Sequence, residues 1–400
     1  MHHDQNHIVI IGSGLASLTL ACALAPFDIS LTILTTKTPI TETIENYKDE
    51  RSLALSHVSH LIFSQMTIWS ELAKHCYPIK KIHISDKGHF GFSRLLPEQL
   101  QVPALGYVIP IKQLQKTLFE RVSSFENINI ISALQINEIL FEKANATLSY
   151  QNTSNEKQTL KAPLMIIADG GKSNLHQQLN IEYQRKEYNQ SAIVANVGSN
   201  QLQSGHAYER FTEYGAIALL PLGENRWSLV WTVSNEKINH LMSLDEKSLL
   251  AILQKHFGYR AGRFTWIGTR QLFPLTLSKV KNQIHPNLLL LGNACHNLHP
   301  IAGQGFNLTM RDISFLAKSI SEHITSRQNL SALDLIQNYE KNRRWDQNSM
   351  ISLTDSLISL FNNEYKPISL IRNIGILGMD FIPGLKTILT KRMMGYHSWI

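Results

Sequence analysis

The sequence predicts an α/β fold whose main parallel sheet is assembled from distant stretches of chain, and three observations predict it. Glycine-rich turns stand at 12–17, 168–173 and 292–305, each after a short apolar run and before a helical pattern. Between the second and third turns the periodicity changes to long alternating strands, which marks a second, mixed or antiparallel layer. After the third turn the pattern is helical to the end of the sequence.

His7–Ile11 is the first buried strand. Gly12-Ser13-Gly14-Leu15-Ala16-Ser17 follows, and a helical pattern runs through Leu18, Ala21, Leu24 and Ala25. In this strand–turn–helix setting a G-x-G-x-x-G pattern signals dinucleotide binding. Gly12 permits the turn, Gly14 lets a pyrophosphate approach the helix start, and Ser17 replaces the third glycine. Ile29–Leu34 is the second strand. An acidic residue is expected at its end to hold a ribose; Thr35-Thr36-Lys37 stands there instead, so a Thr35 hydroxyl is the remaining candidate.

Arg51 precedes a helix near His57–Ala73 and can clamp a phosphate or flank a ring, or pair with Asp49 or Glu50. Pro78–Arg94 reads as short strands, and Leu105–Pro110 leads into an amphipathic helix through Leu114, Leu118 and Val122. Ile128–Ile131, Gln135–Phe141 and Thr147–Gln151 read as strands. Leu164–Ala168 is buried and ends at Asp169-Gly170-Gly171, with Ser173 as the helix N-cap candidate. Asp169, at the carboxyl end of a sheet strand, either meets a ligand or caps its turn.

Ile193–Val197, His206–Phe211, Ala216–Leu220 and Trp227–Thr232 alternate as strands of the second layer, with a helix near Glu246–Phe257. Their large residues Tyr208, Phe211, Leu220 and Trp231 line a greasy pocket or fill a core. Leu288–Leu291 is a buried strand broken by Gly292-Asn293-Ala294. His299-Pro300 stiffens the next turn, and Gly303-Gln304-Gly305 opens a helix whose free N–H groups favour negative charge. Helices are expected at Ile313–Ile324, Leu333–Trp345 and Ser352–Leu360, with two more after Pro367. Lys366–Ile400 is basic and amphipathic, a pattern that lies on an anionic membrane or packs on the protein.

The totals bound the rest. Four hundred residues with 43% hydrophobic and 17% charged suit two intimately joined domains. The net charge of +7 favours anionic partners, a phosphorylated cofactor or an acidic membrane surface. No dense basic block interleaved with aromatics points to nucleic acid. Cys22, Cys76 and Cys295 are too few and too far apart for a disulfide framework or a zinc site. With no secretory leader pattern and no apolar run of ~20 residues, a cytoplasmic chain is expected, with peripheral contact on the inner membrane through the basic tail.

Taken together, GSGLAS, ADGGKS and GNACHNLHPIAGQG resemble the motifs of flavin-dependent aromatic hydroxylases of the para-hydroxybenzoate hydroxylase type. Longer runs resemble one branch, the ubiquinone-biosynthesis monooxygenases that include 2-polyprenyl-6-methoxyphenol hydroxylases. These are DERSLAL at Asp49–Leu55, ISDKGHFGF at Ile84–Phe92, AYERFTEYGAIALLPL at Ala207–Leu222, HPIAGQGFNLTMRD at His299–Asp312, TDSLISLF at Thr354–Phe361 and RNIGI at Arg372–Ile376.

The resemblance implies FAD as cofactor, NAD(P)H as electron donor and O2 as co-substrate. It implies a discontinuous, Rossmann-like FAD-binding domain over 1–75, 98–180 and 278–330, a substrate domain over 76–97 and 181–277, and C-terminal helices over 331–400. Carried over, cofactor-binding roles fall on Gly12, Gly14, Arg51, Asp169, Asn293, Gly303, Gly305 and Asn307, with Ser17, Thr35, Gly170 and Phe306 beside them. His299 and Pro300 become the catalytic candidates. The implied partners are a prenylated phenol and other ubiquinone-biosynthesis proteins. Two alternatives stay open: a prenyl reductase of the same fold, and a non-catalytic subunit of a quinone-synthesis assembly.

Overall fold

The computed structural model describes residues 6–36, 51–88, 91–171, 173–202, 204–298, 303–328, 330, 333–361 and 383–396. His299, Pro300, Lys37, Asp49, Glu50 and the first helix expected after Pro367 lie outside the described residues, as does the RNIGI run.

The first sheet has eight strands and is built on β1 (His7–Ile11). Parallel to β1 run β2 (Ser30–Thr35), the first part of β8 (Ile128–Phe141), β11 (Leu164–Ile167) and β19 (Leu288–Leu290). β9 (Ala146–Asn152) and β10 (Lys157–Ala162) extend one edge antiparallel, and β18 (Ile284–His285) closes the other. Central parallel strands are covered on both faces and therefore read as unbroken apolar runs. Ile8 and Ile10 join the core under α1 (Leu15–Leu24), whereas Val9 and Ile11 join a second core with Ile136, Leu148 and Leu175. Leu289 and Leu291 divide from Leu288 and Leu290 in the same way.

The second sheet has nine strands. β5 (Lys81–Asp86) and β6 (Phe92–Leu95) sit at one edge, followed by β13 (His206–Thr212), β14 (Gly215–Pro221), β15 (Arg226–Ser234), β12 (Tyr183–Ser199), β17 (Gln271–Val280) and β20 (His296–Asn297). β16 (Phe264–Ile267) pairs with β12. A three-stranded sheet is formed by β3 (Ser52–Ser56), β7 (Gly106–Pro110) and β4 (Tyr77–Ile79), all from the stretch between β2 and β8. The remaining helices are α2 (His57–Gln65), α3 (Trp69–Leu72), α4 (Ile111–Ser123), α5 (Leu175–Gln178), α6 (Asn235–Ser243), α7 (Glu246–Phe257), α8 (Gln304–Thr325), α9 (Leu333–Phe361) and α10 (Pro383–Met393). None among the described residues is long and apolar enough to cross a membrane.

The structure differs from the expected elements in several places, among them that the helix expected near His57–Ala73 is two, α2 and α3, parted at residues 66–68. The two strands expected at 128–131 and 135–141 are one strand: its first part pairs with β2, and irregularities after Ala133 and Ile136 let the rest turn onto β9. β12 starts ten residues before Ile193, because its polar first part pairs only with β17. Residues 52–56, for which no strand was expected, form β3 and run directly into α2. The helices expected at 333–345 and 352–360 are one. Polar residues 346–349 read as a break, but Asp346 and Gln347 are buried: Asp346 accepts from Arg311 and Arg343, and Gln347 donates to Asp312.

Candidate active site

The carboxyl ends of β1, β2 and β11 stop side by side. Gly12 N–H still donates to Leu34 O at 2.8 Å and Ala168 N–H to Ile11 O at 2.8 Å, so the three strand ends are held in register where the chain leaves the sheet. A Cβ on Gly12, whose φ is +112°, would stand 2.8 Å from Ala168 O and Asp169 Cα, so the turn closes only without a side chain. Ligands of open α/β sheets bind outside such strand ends.

A cavity of about 750 Å³ opens there and runs to the second sheet. That is ample for a large organic ligand. Two helices begin at it. α1 has Gly14 as N-cap and α8 has Gly303, with φ of 60°, and neither cap has a side-chain hydrogen bond. Helix starts of this kind present backbone N–H groups and a positive dipole end that favour an anionic group. A Cβ on Gly14 or Gly305 would meet nothing within 4 Å. The floor of the cavity therefore combines two positive helix ends with bare backbone, a donor set that fits a pyrophosphate and a planar, electron-rich ring.

Of the residues singled out in the sequence, Gly12, Gly14, Thr35, Arg51, Asp169, Gly170, Asn293, Gly303, Gly305, Phe306 and Asn307 all line this one cavity. Their side chains are not equally free. Thr35 Oγ1 lies 2.8 Å from Ser13 Oγ, which links the second strand end to the first turn. The Arg51 guanidinium stacks 4.7 Å over Phe273 of the second sheet and so bridges the two layers. Asp169 accepts from Gly171 N–H at 2.8 Å and Ser173 N–H at 3.0 Å, with His176 Nε2 at 3.2 Å. Burial pushes its carboxyl up, but the bonds from His176, Ser173 and Gly171 outweigh that and hold it down at about 2. Ser173 is not the N-cap: Asn174 is, and α5 starts after it.

Asn307 is buried and fully engaged. Its Oδ1 accepts from Ser56 N–H at 2.8 Å and Ser59 Oγ–H at 2.7 Å, and its Nδ2 donates to Ala54 O at 2.8 Å and Gly303 O at 2.7 Å. The amide clamps β3 and α2 onto the first turn of α8 at the edge of the cavity. Behind that helix, Asp312 is fully buried and accepts from Arg343 Nε at 2.7 Å, with His296 Nε2 at 3.1 Å. Each buried charge of this network has an opposite partner, as burial requires.

Two expected residues lie elsewhere. Ser17 is fully buried on the inner face of α1 and donates to Ala168 O at 3.2 Å, tying the helix to β11 instead of facing the cavity. Trp231 is 0% exposed and packs with Trp227, Leu253 and Phe257 under α6 and α7. The reason is strand parity. On β14, Ala218 and Leu220 face the cavity while Ile217 and Leu219 face the helices; on β15, Val230 faces the cavity and Trp231 does not. Tyr208 stands at the cavity wall, but its ring packs 5.5 Å from Trp227 and 5.6 Å from Phe257, and its hydroxyl donates to Arg260 O. Phe211 and Leu220 do line the cavity.

The sequence reading missed His176 and Tyr183. The Tyr183 hydroxyl bonds His176 and donates to Ala294 O at 3.0 Å, linking the Asp169 loop to the Gly292 turn; burial pushes this phenol up to about 12. It also missed Gln304, which donates to Met393 O at 3.1 Å and seats α10, whose Leu389 and Met393 reach the cavity. Finally, it missed Glu209, which is in phase with Ala207 and Phe211 on the inner face of β13 and lines the cavity. Its signal was an acid at an inward position of an apolar strand.

The chain matches the FAD binding domain family over residues 5–352. It is 30% identical to ubiquinone hydroxylase UbiL of Rhodospirillum rubrum over 394 residues, covering 97% of this chain and 89% of that protein. The chain belongs to the FAD-dependent hydroxylases of ubiquinone biosynthesis. It is 27% identical to 3-demethoxyubiquinol 3-hydroxylase of Escherichia coli, covering 99% of this chain and all of that one. In fold, p-nitrophenol 4-monooxygenase PnpA of Pseudomonas putida superposes with a TM-score of 0.78 over 97% of this chain and 98% of its own, at 13% identity. The hydroxylase is an FAD-dependent aromatic-ring monooxygenase, with NAD(P)H as electron donor and O2 as co-substrate.

Proposed function

We propose that this hydroxylase adds a hydroxyl group to the ring of a polyprenyl phenol of the 2-polyprenyl-6-methoxyphenol type. The observation that carries the reading is the single cavity: its floor presents two helix starts and its far wall is the apolar face of the second sheet. The relatives named above supply the ring chemistry, since their names place them on ubiquinone and its precursors.

When bound, FAD takes electrons from NAD(P)H and activates O2; that chemistry belongs to the cofactor. The protein's part is to bind, orient and exclude water. In this reading Gly12, Gly14 and the α1 start hold the pyrophosphate. Thr35 replaces the acidic ribose contact, and Arg51 and Asn293 flank the cofactor. The Gly303–Asn307 helix start stabilises negative charge on the reduced ring. Asp169 shapes the loop, with Gly170, against the cofactor. The substrate ring rests between the cofactor and the face that carries Phe211, Leu220 and Val230. Residues 1–75, 98–180 and 278–330 act as the cofactor unit, and 76–97 and 181–277 as the substrate unit.

A long prenyl tail needs an exit. Leu389 and Met393 border the cavity, and on the same helix Ile388 is 64% exposed beside the basic pair Lys391 and Arg392. This edge suits transient contact with an anionic inner-membrane surface, from which the tail is drawn and where other ubiquinone-biosynthesis proteins work.

Deleting the gene and identifying the accumulating lipid by mass spectrometry tests the reading. A prenylated methoxyphenol, the unconverted substrate, is the lipid expected to accumulate; an unchanged quinone pool overturns the reading.

A further inference from the structure

The cavity lining brings only three charged side chains to the ligand space among the described residues: Arg51, Asp169 and Glu209. Arg51 and Asp169 belong to the cofactor end and have partners. Glu209 is different. It stands across the cavity on β13, paired with Ile84 of β5 on one side and Ala218 of β14 on the other, and Ala218 pairs with Val230. Ile84, Glu209, Ala218 and Val230 thus form one cross-strand row on the cavity face, with a carboxyl set among three apolar side chains.

No hydrogen bond or ion pair reaches that carboxyl from any described residue. The flanking elements offer none: β14 carries no titratable residue, His83 of β5 turns to Phe92 and Tyr208, and Asp86 lines a separate small cleft with Arg210 and Arg260. On β13 itself Arg210 points the other way and donates to His256 O at 3.1 Å. A carboxyl in such a place costs stability unless something supplies its missing hydrogen bond. A wall meant only to hold a prenyl tail has no use for it.

We propose that Glu209 is a catalytic residue whose carboxylate accepts the hydroxyl proton of the phenol docked in the cavity. The inference rests on the functional reading above and assigns the reaction its proton acceptor. The phenol O–H bond breaks, the proton bonds to a carboxylate oxygen, and the electron pair stays on the substrate oxygen. The ring becomes richer in electrons toward the oxygen atom it receives. As product leaves, the carboxyl returns its proton to the product oxygen. Desolvation alone pushes this carboxyl up to about 7, the range in which a general base is most effective at neutral pH.

The experiment uses the FAD-loaded, full-length protein and two probes: 2-geranyl-6-methoxyphenol and its O-methyl ether, which has no proton to give. The ratio of their dissociation constants is measured at pH 6 and pH 8 for the parent and for Glu209→Gln. In the parent the preference for the phenol rises about tenfold as the carboxylate forms, the size of a hydrogen bond to a charged acceptor. In E209Q the ratio does not change with pH. A parent ratio indifferent to pH, or a rise that survives in E209Q, overturns the proposal.

Turnover gives the second arm. E209Q is expected to lose about 100-fold in kcat with KM within about threefold, and to lose the acid limb near pH 7. If KM rises while kcat stays, Glu209 is a binding contact and the proposal falls. Should E209Q not hold FAD, Glu209→Asp replaces it: a shorter carboxylate keeps the pH-dependent ratio with a lower kcat, and loss of that dependence refutes the assignment. Failure of the functional reading looks different. There the parent makes no hydroxylated product from the phenol at any pH while the binding ratio still responds to Glu209.

Discussion

Replacing Asn307 by alanine removes the amide that fixes the first turn of α8, and the cost can be worked from its four bonds. Ser56 N–H, Ser59 Oγ, Ala54 O and Gly303 O each lose a partner at 2.7–2.8 Å in a buried place. At about 1 kcal/mol net per bond the loss is about 4 kcal/mol. Unfolding entropy of about 2 cal/mol/K per residue over 400 residues turns that into a melting-temperature drop of about 5 °C for the apoprotein by scanning calorimetry. The same change frees the α8 start to re-aim its N–H groups, so FAD affinity, followed by flavin fluorescence quenching, is expected to fall at least tenfold. Asn307→Asp sharpens the test. Its carboxylate keeps the two acceptor bonds but turns an oxygen toward the Ala54 and Gly303 carbonyls, so it is as damaging at pH 8 and partly recovers toward pH 5, where a protonated carboxyl donates one bond. An N307A protein that melts within about 1 °C of the parent and binds FAD equally well would refute this account of the clamp.

Three further outcomes follow from the same geometry. Gly14→Glu adds a carboxylate in open cavity space, so apoprotein melting stays within about 2 °C while FAD affinity falls at least 100-fold; unchanged affinity would remove Gly14 from the cofactor floor. Trp231→Ala costs about 3–5 kcal/mol in urea unfolding through the cavity it leaves, with FAD affinity within about twofold, because the ring faces α6 and α7. Asp169 is held below its ordinary value, so its stabilisation is present above about pH 4 and is lost as pH falls through about 2. The shift is worth about 2 kcal/mol in all. The unfolding free energy of the parent relative to Asp169→Asn should therefore shrink by about 1 kcal/mol between pH 5 and pH 3, and a gap that widens on acidification would contradict the bonding described for this loop.

How far the fold was legible depends on what each residue's neighbours are. His7–Ile11 and Leu288–Leu291 announce themselves because strands covered on both faces are apolar throughout, and the turns after them need glycine. The first part of β12 was hidden because an edge ribbon paired on one side has no reason to be apolar. The single helix α9 was hidden because residues 346–349 look like a solvated break, whereas Arg311 and Arg343 neutralise the buried Asp346 and Asp312 accepts from the buried Gln347. The site followed the same logic. Glycines at helix starts are readable from spacing alone. Ser17 and Trp231 are not, since whether a side chain faces the ligand space or the layer behind it is fixed by helix phase and strand parity against partners far along the chain. Glu209 was readable in principle, as an acid in phase with Ala207 and Phe211.

The Gln304–Met393 bond has a consequence for how the protein is made. Part of the ligand space is supplied by a helix that is synthesised about 370 residues after the Gly12 turn that borders the same space. A ribosome-bound chain that has already formed both large sheets still lacks that part until residue 394 has left the tunnel. Cofactor capture in its final form therefore waits for residues 383–394, and a product stalled or clipped before them would expose the apolar interior of the cavity to whatever lipid or chaperone it meets first.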